Sequence, residues 1–208
     1  MNRLIVVSLL LFLNLSTWAQ ETVKLPAPEV NTASKMTLMQ SLQQRHSQRA
    51  FSNKTLSDQT LSTLLWAACG YNRPEEKRLT APSATNAQDI TVFVCRADGA
   101  YRYDPAQNAL IKVSSEDLRT AVAGRQAFAK DAPVSLVLVS DITKFRNKSR
   151  EYAAFDAGFV SENICLACTA MGLATVPRAT MDKGALAKAL NLVEDQLLLL
   201  NNPVGYEK

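Results

Sequence analysis

The run Ile90-Thr91-Val92-Phe93-Val94-Cys95, followed by Asp98-Gly99 and Tyr101-Arg102-Tyr103, decides the fold class. Its β-branched and aromatic residues predict a strand, and Asp-Gly is a turn signal that returns the chain as a hairpin partner. A hairpin builds antiparallel pairing, whereas strict strand–helix–strand alternation builds a parallel sheet. Working outward, Asp104-Pro105 turns the chain into a third short strand over Leu110–Val113, and residues 116–123 read as helix. Val134–Val139 is continuously apolar, the pattern of a buried strand. A long helix is expected over Tyr152–Met171, stopping at Gly172, then a short helix over Lys183–Leu190 and a last strand over Gln196–Leu200. Toward the N-terminus, Thr37–Arg45 reads as a helix with Leu38, Met39 and Leu42 on one face. Ser57 caps a further helix with Leu56 and Leu61 at staple spacing, a stripe of Leu61, Leu64, Leu65 and Ala68, and a stop at Gly70. Hairpins interleaved with helices argue for an α+β domain, a central mostly antiparallel sheet flanked by helices. The long helix carries Ala153, Ala154, Ala157, Gly158 and Ala167, small residues suited to close packing, so it is expected at a dimer interface.

The first twenty residues stand apart. Met1-Asn2-Arg3 is a short positive start, Leu4–Leu13 is apolar apart from Ser8, and small residues precede Glu21. That is the layout of a secretory signal peptide over 1–20, with cleavage near Ala19 or Gln20. The apolar run falls short of the roughly 20 residues a membrane span needs, so no stable insertion is expected after cleavage. No Cys follows it to take a lipid, and no twin arginine is present. An exported, periplasmic or secreted location follows. Residues 21–35, with Pro26 and Pro28, read as a flexible leader, and 36–208 as one domain.

The net charge of +4 is spread along the chain without a basic run, which argues against a nucleic-acid partner. Cys165-Leu-Ala-Cys168 has CxxC spacing, but it lies inside the long helix, with no second CxxC and only His46 as an imidazole. Zinc therefore lacks ligands, and the two cysteines read as small core residues.

Four segments carry chemistry. In Arg45-His46-Ser47-Gln48-Arg49, an extended backbone would converge Arg45, Ser47 and Arg49, two guanidinium forks and a hydroxyl suited to a phosphate monoester. In Pro82-Ser83-Ala84-Thr85-Asn86-Ala87-Gln88, small residues admit a flat ring, and two amides match an imide edge. Pro177-Arg178-Ala179-Thr180 follows the long helix. The sequence given closes on Pro203-Val204-Gly205-Tyr206-Glu207-Lys208, with a glycine and a late positive charge.

In this order and spacing the segments resemble the nitroreductase family over essentially the whole chain after the leader. The resemblance implies a nitroreductase-like fold working as a homodimer, with FMN at the subunit interface. It implies that Arg45, His46, Ser47 and Arg49 grip the FMN phosphate, and that Pro82, Ser83, Ala84, Asn86 and Gln88 contact the flavin ring, often from the second subunit. Pro177, Arg178, Ala179 and Thr180 would lay backbone amides near the reactive nitrogen, and Gly205 and Lys208 would return to the phosphate. Leu65–Pro74, the Pro82-Ser83-Ala84 triplet and the final Pro-Val-Gly-Tyr look most like the SagB/thiazole-oxidase branch. Ala179 and Thr180 stand where many relatives have glycine. No Lys-Tyr dipeptide occurs, which argues against azole formation.

The implied activity is transfer of two electrons through FMN to a small-molecule acceptor, with no obligatory side-chain acid or base. NAD(P)H is the usual donor, but export removes the chain from that pool, so another reductant is equally open. Two other classes fit the same residues: an exported flavin-binding protein with little turnover (storage, sensing or assembly), and a small-ligand domain that has lost FMN.

Overall fold

The apolar runs around Phe93 and Val137 pair with each other at the centre of a seven-stranded sheet. The computed structural model describes residues 21–208, so the signal peptide expected over 1–20 lies outside the described residues. In chain order the elements are β1 (Thr22–Lys24), α1 (Leu38–Gln44), α2 (Asp58–Cys69), β2 (Tyr71–Arg73), β3 (Arg78–Leu79), β4 (Ile90–Arg96), β5 (Gly99–Asp104) and β6 (Ala109–Ser114). They continue with α3 (Arg119–Ala123), β7 (Val134–Asp141), α4 (Arg150–Ala170), β8 (Ala174–Thr175), α5 (Lys183–Ala189) and β9 (Gln196–Gly205). The large sheet runs β1-β6-β5-β4-β7-β9-β8 with antiparallel neighbours throughout; β2 and β3 form a separate small ribbon.

Alternation along the strands sorts the core into two layers. Val92 and Val94 on β4, facing Leu138 and Leu136 on β7, pack against Leu61, Leu64 and Leu65 of α2 and Val160 and Ile164 of α4. Phe93 and Cys95, with Val137 and Val139, pack on the other face against Val122 of α3 and Leu186 of α5. A sheet covered on both faces explains why these strands read as unbroken apolar runs.

α2 forms as its sequence dictates: the Ser57 hydroxyl accepts from the Thr60 amide at 3.1 Å, and Leu61, Leu64, Leu65 and Ala68 are all buried. Gly70 ends it for a different reason from the one expected. Its φ is −79°, which any residue adopts, but a Cβ there would stand 2.6 Å from Trp66 Cα.

Three expectations shift. The stretch 21–35, read as a flexible leader, opens instead with β1, an edge strand in register Thr22↔Ile111, and buries Leu25. Pro26 contributes its carbonyl to Ser62 Oγ and Asn108 Nδ2, so the prolines that suggested looseness fasten the segment to α2. β9 runs on to Gly205, past Asn201, Asn202 and Pro203, whose polarity hid the strand. The apolar face of α1 does not pack inward: Leu38, Met39 and Leu42 are 63%, 71% and 48% exposed.

Candidate functional site

The chain after α1 runs alongside the sheet's β8–β9 edge. The Gln48 amide donates to the Thr175 carbonyl at 3.0 Å, Ser52 N–H donates to Tyr206 O at 2.8 Å, and Phe51 bridges to Glu207. These contacts bring 45–49, the start of 177–180 and 205–208 to one region, beside the C-terminal half of α4. Arg45 lies close enough to Cys165 to act on its thiol, which burial nonetheless pushes up to about 11.

Within this group the side chains divide. Arg45 is half-buried, while Ser47, Arg49 and Lys208 are exposed. Among the described residues no carboxylate pairs with Arg45, Arg49 or Lys208. His46 turns back instead, its Nδ1 2.8 Å from the Gln44 carbonyl at the end of α1. Gly205 is accounted for by packing: a Cβ would meet Pro133 Cδ at 2.8 Å and Phe51 at 3.3 Å.

In 177–180 the backbone alternates. Pro177 and Ala179 face outward, and Arg178 is buried with its main chain paired both ways to Asn201. The Arg178 guanidinium reaches Gln126 Oε1 (2.8 Å), Val122 O (3.3 Å), Ala123 O (2.7 Å) and Asn201 Oδ1 (2.8 Å), and its plane lies near the Phe128 ring. It therefore closes the C-terminal end of α3, where carbonyls lack helical partners and a cation is favoured. Its amide and its guanidinium both bind acceptors of the chain itself. Ala179 and Thr180 line an open cleft of about 980 Å³ between α3 and α5, with Leu118, Ala121 and Met181 among its other walls.

The 82–88 segment lies elsewhere. Its Ala84 amide donates to both carboxylate oxygens of Asp156, at 3.0 and 2.9 Å, near the N-terminal end of α4. The Gln88 amide donates to Ser83 Oγ at 2.9 Å and its side chain to Lys77 O at 2.7 Å, while Pro82 and Asn86 are exposed. From Asp156 to Cys165 along α4 is roughly 14 Å. One chain thus holds two half-sites, set apart along its longest helix. Around the first of them α4 shows an uncovered apolar face, with Tyr152, Phe155 and Phe159 at 40%, 53% and 46% exposure and Ala154 and Gly158 beside them.

Asp89 and Asp156 escaped the sequence reading. Both are buried, at 0% and 1%. The available signal was a carboxylate at position 156 inside the buried spacing Ala153, Ala157, Val160, Ile164. The Cys165–Cys168 pair is buried, as expected of small core residues, and all four cysteines are free thiols. Among the described residues no cluster of three or more His, Cys, Asp or Glu side chains can hold a metal ion, and no helix is long and apolar enough to cross a membrane.

An antiparallel sheet between two helical layers, with a long helix bared on one side, is a nitroreductase-like fold, and comparison with known proteins agrees. The family model described as Nitroreductase family matches residues 42–206. A crystal structure named for a nitroreductase of Ralstonia eutropha JMP134 is 34% identical, covers 90% of each chain and superposes with a TM-score of 0.82. A protein of Methanocaldococcus jannaschii, also named for nitroreductase, is 26% identical over 89% of this chain and 97% of its own length. A chain of the Escherichia coli microcin synthetase complex shares the fold at TM-score 0.69 and 22% identity, over 99% of this chain and 85% of that one. The chain belongs to the nitroreductase family, a family of oxidoreductases.

Proposed function

We propose that this protein is an exported FMN-dependent oxidoreductase that works as a homodimer, with each FMN held between subunits. The supporting observation is the division of the site: the cationic segment and the amide-bearing loop sit towards opposite ends of α4, which bares an apolar face along its first half. Pairing two copies through that face joins the cationic end of one to the 82–88 loop of the other. Arg45, Ser47, Arg49 and Lys208 supply the donors a phosphate monoester takes, three of them cations without an ion-pair partner among the described residues. Asn86 and Gln88 of the partner subunit supply amides for the pyrimidine edge. Ala179 and Thr180 bring backbone to the cleft in which an acceptor would lie.

Bound FMN would supply the two-electron exchange; the protein's part is to hold the phosphate, fix the ring and keep one face open. The donor is NAD(P)H or another reductant, a reduced membrane carrier or partner protein in the case of an exported chain, and the acceptor is a small molecule. The purified protein is expected to be yellow or to bind added FMN, and to lose it on combined Arg45→Ala and Arg49→Ala substitution with the circular dichroism unchanged. A protein that ignores FMN sinks the proposal. Anaerobic mixing with NADH, NADPH and a reduced quinol identifies the donor; flavin that no donor bleaches would turn the reading to a flavin-binding protein without turnover.

A further inference from the structure

Two carboxyl groups lie side by side beneath the 82–88 loop with no cation to neutralise them. Asp156 of α4 directs both oxygens to the Ala84 amide. Asp89, just before β4, accepts the Ser140 hydroxyl at Oδ2, yet its Oδ1 is buried without a hydrogen-bond partner. Burial first, and then the neighbouring Asp156 carboxyl, push the Asp89 acid upward. Each packed element contributes its own groups. α4 presents Asp156, and β7 presents Ser140, with Asp141 turned away to Thr143. Lys144, in the turn after β7, sends its ammonium to the Gln88 carbonyl at 2.7 Å. Neither carboxyl joins an ion pair among the described residues.

Two adjacent ionised carboxylates are not tolerated in such a dry site. One proton resolves the arrangement. On Asp89 Oδ1 it gives that oxygen a hydrogen bond to make, toward Asp156, whose oxygens go on accepting from the Ala84 amide. The loop above needs such a hold, because Thr85, Asn86 and Gln88 sit at φ of 54°, 55° and 49°, the left-handed region that side chains disfavour.

We propose that Asp89 and Asp156 share a single proton, and that this proton latches the 82–88 loop onto α4, so that losing it frees the loop. The consequence for the cofactor, weaker FMN binding as pH rises, rests on the reading of this loop as a flavin contact; the latch itself does not. Burial pushes the Asp89 acid up to about 7, which places release near neutral pH.

The test is amide exchange at Ala84, followed without and with FMN from mildly acidic to mildly alkaline pH and corrected for the intrinsic rate. In the wild type, protection is expected to fall about tenfold per pH unit above the transition. In Asp89→Asn, whose amide keeps a donor toward Asp156 at every pH, it is expected to stay level. Parallel behaviour of the two proteins overturns the latch. Protection that titrates while FMN retention does not would uphold the latch and overturn the flavin reading of the loop. Should the variant fail to fold, carbon NMR of labelled aspartate in the wild type decides: no aspartate titrating near neutral pH overturns the proposal.

Discussion

The Arg178 guanidinium, on a residue the family resemblance offered for its backbone amide, is bound on four sides by acceptors of its own chain, none of them a carboxylate. Replacing it with Met would strand two carbonyls of α3 and the Asn201 side chain in a buried site. Arg178→Met is therefore expected to cost about 3 kcal/mol or more in urea unfolding, with Lys recovering only part because it lacks the planar fork. An unchanged midpoint would show that the α3 carbonyls find other donors. Gly70→Ala should also destabilise, since its Cβ would overlap the Trp66 backbone. The two glycines show where local sequence reading stops. Gly70 was read as a helix stop and Gly205 as room for a ligand, yet each is fixed by a neighbour, Trp66 in one case and Pro133 with Phe51 in the other. Proximity to residues distant in sequence leaves no mark on the residue itself.

Among the elements, β4, β5, β6 and β7, together with α2 and α4, were legible because local periodicity and turn chemistry agree with their burial. β1 and the second half of β9 were not: β1 is made a strand by β6, and Asn201 and Asn202 are buried polar groups satisfied only by tertiary partners such as Arg178 and Ser161. The candidate site was legible as a set of segments, but not its division between the two ends of α4. The long helix also carries the proposed association. Phe155→Glu with Phe159→Glu puts charge in the middle of its uncovered face, so sedimentation is expected to give a monomer that has lost FMN. A stable dimer with normal flavin content would place the interface elsewhere. Because both side chains are about half exposed in the single chain, their replacement should cost the protomer little.

For the whole molecule, the buried carboxyl pair predicts a pH dependence of folding. The Asp89 acid is held above its unfolded value, so the folded state keeps a proton that the unfolded chain gives up first. Stability is fully present below about 4, declines as pH rises toward about 7, and levels beyond it. The difference between wild type and Asp89→Asn isolates this slope from other groups; a flat difference would count against it. The thiols report the same cooperativity in another way. Burial pushes Cys69 and Cys95 up to about 12, so thiol reagents are expected to label the native protein only at the rate of its opening, and a fast-reacting thiol would reveal a local breach. The position of β9 bears on the timing of folding. It is synthesised after every other strand, yet it sits inside the sheet between β7 and β8, with Val204 on Val134 and Leu200 on Leu138. The ribosome must therefore release nearly all of this domain before its sheet can close, and until then β7 exposes an open edge.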